Sequence, residues 1–156
     1  PPLLYSLSAL QMDANSKFGF TLDKTLEIVQ KLYDDGFTTY PRTNSEYLAT
    51  AEKDKVKGVI AAISKIGYDV KFKDSKTIFD DSKIESHSAL TPTYKIPKKE
   101  NLTDKEMTVY KAVFRRFVAV FLSMIVLCHM KLNLKSEYIK YEINIVCNLL
   151  FGIFKN

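Results

Sequence analysis

A chain of 156 residues has room for one ordinary domain, which buries about two-thirds of the surface its unfolded form exposes. Lys plus Arg at 23 against Asp plus Glu at 18 leaves a net charge of +5, which suits a polyanionic partner but is mild for a nucleic-acid binder. Cys128 and Cys147 lack C-x-x-C spacing, the apolar run Phe117 to Leu127 is too short for a bilayer, no secretory signal pattern is visible, and the five glycines are too scattered to cradle phosphates; these features argue against a zinc site, a membrane and a bound nucleotide, and for a reduced, cytosolic setting.

In chain order, Leu22, Leu26, Val29 and Leu32 recur at helical spacing behind Thr21, a side-chain cap, and Gly36 supplies a stop. The segment Phe37-Thr38-Thr39-Tyr40-Pro41-Arg42-Thr43-Asn44-Ser45 reads as extended. Thr38 and Thr39 are β-branched, and Tyr40 stands before a proline, which pushes its ψ toward roughly +120 to +160°. Residues two apart on an extended chain share a side, so Tyr40 and Arg42 are predicted to point the same way. A tyrosine hydroxyl titrates near ~10 and is a weak nucleophile at neutral pH. A guanidinium beside it would grip two phosphate oxygens and favour developing negative charge. The plain alternative for a lone Tyr-x-Arg is a half-buried aromatic in a turn next to a solvated charge.

Val56, Val59, Ile60 and Ile63 mark a second helix, from about Ala51 to Ile66, closed by Gly67. Residues 68 to 83, rich in Asp, Lys and Ser, carry no period and are expected to form a surface excursion. Thr103-Asp104-Lys105-Glu106 is a capping box ahead of Met107, Tyr110, Val113, Phe114, Phe117, Val118 and Phe121, the strongest helical signal and the expected centre of the core. From His129, which is read as structural, the period changes. Met130, Leu132 and Leu134, then Ile139, Tyr141, Ile143 and Ile145, alternate with polar residues across Lys135-Ser136-Glu137, as two strands of a hairpin do. The stretch from Val146 to Phe154 is more apolar than a domain end should be. The predicted fold is mainly α with a small β part (α+β): a helical, winged-helix-like domain over residues 1–127, then a β-rich segment over 128–156.

The run Gln30-Lys31-Leu32-Tyr33-Asp34-Asp35-Gly36-Phe37-Thr38-Thr39-Tyr40-Pro41-Arg42-Thr43-Asn44-Ser45 resembles the active-site segment of type IA DNA topoisomerases, nearest to their topoisomerase III branch. Upstream, Ser8-Ala9-Leu10-Gln11 and Phe18-Gly19-Phe20-Thr21 through Lys24-Thr25 look like the segment that precedes the nucleophile. Downstream, Ser86-His87-Ser88-Ala89-Leu90-Thr91-Pro92-Thr93 looks like the second active-site motif. The order and separation of the two motifs match the family's, and the resemblance runs from residue 3 to residue 135.

The resemblance implies that Tyr40 attacks single-stranded DNA, forms a 5′-phosphotyrosyl link and releases a 3′-hydroxyl, so that a second strand passes before religation and DNA is relaxed or decatenated without ATP. Arg42 and His87 are the implied phosphate holders. Gln30, Asp34 and Thr39 fall at polar positions around the tyrosine, Asp34 at a carboxylate position, with a solvated helix end as its alternative. Asn44 departs from the aspartate that commonly follows the Arg-Thr pair, and an amide can neither accept a proton nor pair with Arg42 as a carboxylate would. Lys17, Lys24 and Arg115 are candidates for contacting the DNA backbone, with plain surface charge as the alternative. Tyr33, Phe37 and Tyr47 would either stack on bases or pack in the core.

Members of the family carry a separate Toprim domain whose acidic cluster binds Mg²⁺; here Asp34-Asp35 and Asp80-Asp81 are isolated pairs without that pattern. Magnesium is therefore expected through a missing domain, with no metal held by this segment. The expected partners are single-stranded DNA and the missing Toprim and arch domains, with residues 128–156 a stub of the hinge arch. The chain is accordingly read as a fragment with little or no activity alone, cytoplasmic and nucleoid-associated. The competing reading is a non-catalytic single-stranded-DNA-binding or interaction module, the remnant of a truncated gene. A tyrosine recombinase or replication initiator would need clustered arginines or paired histidines, and neither pattern is present.

Overall fold

The computed structural model describes residues 3–68 and 70–121, and four α-helices organise them: α1 (Leu7–Phe18), α2 (Leu22–Asp34), α3 (Lys53–Lys65) and α4 (Asp104–Phe121). Their ends follow the capping chemistry of the sequence. Thr21 accepts from the Lys24 amide at the start of α2, and Gly36, at φ 79°, turns the chain just beyond its end. At α4 the predicted box is reciprocal: the Thr103 amide donates to Glu106 Oε2 at 2.8 Å and the Glu106 amide to Thr103 Oγ1 at 3.4 Å. α3 is entered through a 3-10 turn over Thr50–Glu52 and ends at Ile66, before Gly67 at φ 98°.

α4 lies at the centre of the core, as its period requires. It buries Val109, Tyr110, Val113, Phe114, Phe117, Val118, Val120 and Phe121, and α2 and α1 both pack on it. α2 presents Thr25, Ile28, Val29 and Leu32 to the interior. Leu22 of the predicted stripe is instead exposed, at the first position of α2. α3 buries Val56, Val59, Ile60 and Ile63, the predicted face.

α1 has little periodicity to announce it, burying only Leu10 and Ala14. It exists because Ser6 caps its start, Gly19 at φ 68° closes it, and α2 covers its inner side. The excursion over 68 to 83 is more than surface. Val70, Ile78 and Phe79 are buried, Leu48 bridges Phe79, and Phe72, Phe79 and Phe121 form an aromatic group with centroids 5.7 to 6.5 Å apart. A few apolar anchors spaced irregularly along a polar loop leave no period to read. Among the described residues β-pairing is limited to isolated bridges, Tyr5 with Leu90, Thr38 with Pro92 and Leu48 with Phe79. The predicted hairpin, His129 and both cysteines lie outside the described residues.

Candidate active site

The end of α2 is fixed before the tyrosine segment begins. The Gly36 amide donates to the Tyr33 carbonyl and the Phe37 amide to that of Leu32, both at 2.8 Å. Phe37 is buried, edge-on to Tyr110 at 6.4 Å, with the Lys95 ammonium 4.7 Å from its ring centroid. From this mount the chain zips onto residues 87–93. The Thr93 amide donates to the Phe37 carbonyl (3.0 Å), the Thr39 amide to that of Thr91 (2.9 Å) and the Ala89 amide to that of Tyr47 (2.8 Å). Side chains tighten the seam: Thr39 Oγ1 accepts from the Thr91 amide at 2.9 Å, and Thr43 Oγ1 donates to the His87 carbonyl at 2.8 Å. Two segments some fifty residues apart in sequence thus form one polar ledge, which the N-terminal segment joins through Leu90 to Tyr5 and Leu7 to Thr43.

Burial alternates along this ledge, across a bend at Pro41 in which the Thr43 amide donates to the Pro41 carbonyl at 2.9 Å. Pro41, Thr43 and Ser45 face inward, while Tyr40 is half-buried and Arg42 and Asn44 are exposed. The Tyr40 ring sits between two others: His87, with centroids 4.6 Å apart, and Tyr33, edge-on at 5.4 Å and 79°. His87 is itself exposed and also lines a shallow polar groove with Asn44, Ser45, Lys83, Glu85 and Ser86. A phenol and an imidazole therefore meet on the ledge, with an exposed guanidinium two residues from the phenol, beyond the bend at Pro41. Among the described residues Arg42 makes no ion pair. Such a set can receive a phosphate: two cationic or hydrogen-bonding groups for its oxygens, and a hydroxyl able to reach its phosphorus.

The remaining candidates divide. Thr39 is a structural tie, its hydroxyl committed to backbone groups of residues 89 and 91. Gln30 donates to Asp34 Oδ1 at 3.0 Å, one turn apart on α2 and flanking Tyr33, so this pair lies on the helix face beside the tyrosine cluster. Asn44 reaches the groove. Lys17 pairs with Asp13 at 2.7 Å and Lys24 with Glu27 at 2.8 Å. Lys24 is at the opposite end of α2 from Tyr40, about 15 Å along the axis from Asp34. Arg115 is exposed on α4. None of these three basic residues makes a hydrogen bond or ion pair with a residue of the ledge. Phe37 is core, and Tyr47 is half-buried with its carbonyl engaged by Ala89 and Ser45.

Sequence reasoning missed Tyr33 as a neighbour of Tyr40, although Tyr33, 40% exposed, lies out of phase with the buried Val29–Leu32 stripe and three residues from Gln30. It also missed Thr43 and Ser45. Their inward parity was readable, and an inward hydroxyl must find backbone partners.

Behind the ledge, Tyr5, Asp13 and Arg116 clamp the N-terminal segment to α1 and α4. The Tyr5 hydroxyl donates to Asp13, Arg116 Nη2 contacts Asp13 at 3.1 Å, and the guanidinium lies 4.1 Å from the Tyr5 ring centroid. Burial first, and then the Asp13 hydrogen bond, push the Tyr5 hydroxyl up to about 12. Burial pulls the Asp13 carboxyl upward, but hydrogen bonds from Lys17 and Tyr5 and the nearby cations outweigh it and leave it below the usual carboxylate range. Among the described residues no three His, Cys, Asp or Glu side chains gather closely enough to hold a metal ion by themselves. No helix among them is long and apolar enough to cross a membrane.

A family model for DNA topoisomerase matches residues 1–148. The chain is 37% identical over 130 residues to DNA topoisomerase 1 of Bacillus anthracis, covering 78% of this chain and 15% of that protein. It is 40% identical over 129 residues to DNA topoisomerase 3 of Bacillus thuringiensis (strain Al Hakam), covering 76% and 18%, and 36% identical over 132 residues to DNA topoisomerase 3 of Bacillus subtilis (strain 168), again 76% and 18%. Among solved structures, full-length topoisomerase I from Thermotoga maritima superposes with a TM-score of 0.53 at 28% identity, covering 78% of this chain and 20% of that one. The chain spans less than a fifth of the length of these curated relatives, and it belongs to the type IA DNA topoisomerase family, similar to its topoisomerase 3 and topoisomerase 1 members.

Proposed function

We propose that this chain is the nucleophile-bearing segment of a type IA DNA topoisomerase that cleaves and religates single-stranded DNA. The observation that carries the reading is the meeting of Tyr40 with His87, ring centroids 4.6 Å apart, with Arg42 exposed two residues further along the chain. In the proposed step the Tyr40 oxygen bonds to the scissile phosphorus as the bond from phosphorus to the 3′ oxygen breaks. The phenol proton passes to solvent or a base, the 3′ oxygen takes up a proton, and a 5′-phosphotyrosyl link remains. Arg42 and His87 bind the phosphate oxygens and offset charge that develops on them. Religation is the reverse, which conserves the phosphodiester free energy and needs no ATP.

The chemistry a bound Mg²⁺ supplies, further charge stabilisation beside the cleaved phosphate, belongs in this reading to a Toprim domain carried elsewhere in the enzyme. Residues 1–127 would then be the helical, winged-helix-like part and 128–156 the hairpin stub of the hinge arch. The segment alone is proposed to be inactive or nearly so, and the working location is the nucleoid in the cytoplasm.

The test incubates the chain with labelled single-stranded DNA and Mg²⁺, alone and mixed with a Toprim-bearing portion of a relative, followed by denaturation. A covalent adduct in the mixture that vanishes in Tyr40→Phe is the expected result. An adduct that persists in Tyr40→Phe, or no salt-sensitive DNA binding by the wild type, overturns the proposal. Binding without adduct under every condition supports the non-catalytic module instead.

A further inference from the structure

We infer that Lys83 is a DNA-phosphate contact, and that the groove it lines with Asn44, Ser45, Glu85, Ser86 and His87 holds the strand on the far side of the scissile phosphate. The inference rests on the proposed function and extends it to a residue outside both the tyrosine segment and the histidine motif. Its basis is the position of the groove. His87 lies against the Tyr40 ring and is also part of the groove wall, so a strand whose phosphate sits at Tyr40 continues into this depression.

Lys83 is held there by its backbone. It ends a 3-10 turn over Asp81–Lys83, its amide donates to the Asp80 carbonyl at 3.1 Å, and its carbonyl accepts from Ser45 Oγ at 3.0 Å. Ser45 belongs to the same extended segment as Tyr40 and Arg42, so the stem of Lys83 is tied to the nucleophile's own support. Its side chain is exposed and, among the described residues, makes no ion pair, although Glu85 lines the same groove. Lys17, Lys24, Lys31, Lys53 and Lys57 have carboxylate partners, whereas Lys65, Lys98 and Lys111, like Lys83, have none among the described residues; what sets Lys83 apart is its place in the groove wall. An ammonium without a fixed partner, on a residue that lines the same groove as Asn44 and Ser86, is suited to a phosphodiester oxygen; such groups fix strand position without reading sequence. Glu85, in the same groove, carries a charge that opposes that contact.

The test is the salt dependence of single-stranded oligonucleotide binding by the whole chain. Each phosphate contact contributes about 0.7 to the slope of log K against log salt for a single strand. Lys83→Gln is expected to lower the slope by about that amount and weaken low-salt binding by roughly threefold or more. Lys83→Arg should retain both values, and Glu85→Gln should tighten binding. The Thr50 amide donates to Asp81 Oδ1 at 2.9 Å, which places the start of α3 near the groove; Lys65→Gln, at the other end of that helix, should change little. If the wild type binds and Lys83→Gln keeps its slope and affinity, or loses no more than Lys65→Gln, the inference is wrong while the proposed function stands. If the wild type shows no salt-dependent binding, both are wrong.

Discussion

Thr43→Val tests whether the ledge is held by the bonds assigned to it. The Thr43 side chain is buried, donates to the His87 carbonyl at 2.8 Å and accepts from the Ser45 amide at 3.1 Å. Valine keeps the shape and removes both bonds. The Ser45 amide is buried and loses its partner, which costs about 1–2 kcal/mol, and the part-buried His87 carbonyl adds about 0.5–1.5 kcal/mol. The sum is about 1.5–3.5 kcal/mol, a fall in Tm of about 3–14 °C for a chain of this size. Thr43→Ser keeps the hydroxyl and should lose under about 1.5 kcal/mol. The assay is thermal and urea unfolding of the three proteins, with adduct formation in the Toprim-supplemented reaction as the functional readout. Because His87 is the group released, adduct yield in Thr43→Val should drop even well below its Tm. A Thr43→Val protein as stable as wild type, or one whose adduct yield is unchanged at a temperature where it is folded, would refute the assigned role of this hydroxyl.

Tyr33→Ala removes the edge-on partner of Tyr40 and should slow adduct formation with little change in oligonucleotide affinity, while Tyr33→Phe should behave as wild type; equal rates in all three would dismiss Tyr33 as a support. Gly36→Ala places a side chain at φ 79° and should cost about 1 kcal/mol by urea unfolding, since the strain is in the backbone and the nearest atom a Cβ would meet is Lys95 Cδ at 3.9 Å. Phe117→Ala, at a fully buried position of α4, should cost about 3–5 kcal/mol and leave the protein largely unfolded near its present Tm. The Glu106 carboxyl is held below its usual range, first by the Thr103 amide and then by Lys31, so its folded value is the depressed one. Its contribution is complete above the unfolded carboxylate value of about 4.3 and disappears as pH falls through the folded value. Glu106→Gln should thus be less stable than wild type at pH 7, and the gap should close in acid; a gap independent of pH would contradict the assignment.

Much of this architecture is local, and so was visible in the chain itself. Thr21, Gly36, Gly67 and the Thr103–Glu106 box act on their own helix ends, and the faces of α3 and α4 follow from a period that any helix of that sequence would show. The expected extended run from Tyr40 to Arg42 is instead broken by a bend at Pro41, closed by the Thr43 amide on the Pro41 carbonyl at 2.9 Å, which the β-branched and pre-proline residues around it do not announce. α1 is a further exception. With two buried residues, it is a helix because α2 covers it, and its weak pattern could not say so. The same limit hid Val70, Ile78 and Phe79, which are anchored by Leu48 and Phe121 rather than by any repeat of their own.

What residues 1–156 determined by themselves was which groups are available to hold a phosphate. Only the tertiary structure decided that Tyr40 has His87 on one flank and Tyr33 on the other, and that Lys83 shares a groove with Asn44. The reason is physical. The seam between residues 37–48 and 87–93 is made of backbone hydrogen bonds and threonine hydroxyls that every polar loop possesses, so its register is selected by the packing of α1, α2 and α4 beneath it and leaves no periodic trace in the sequence.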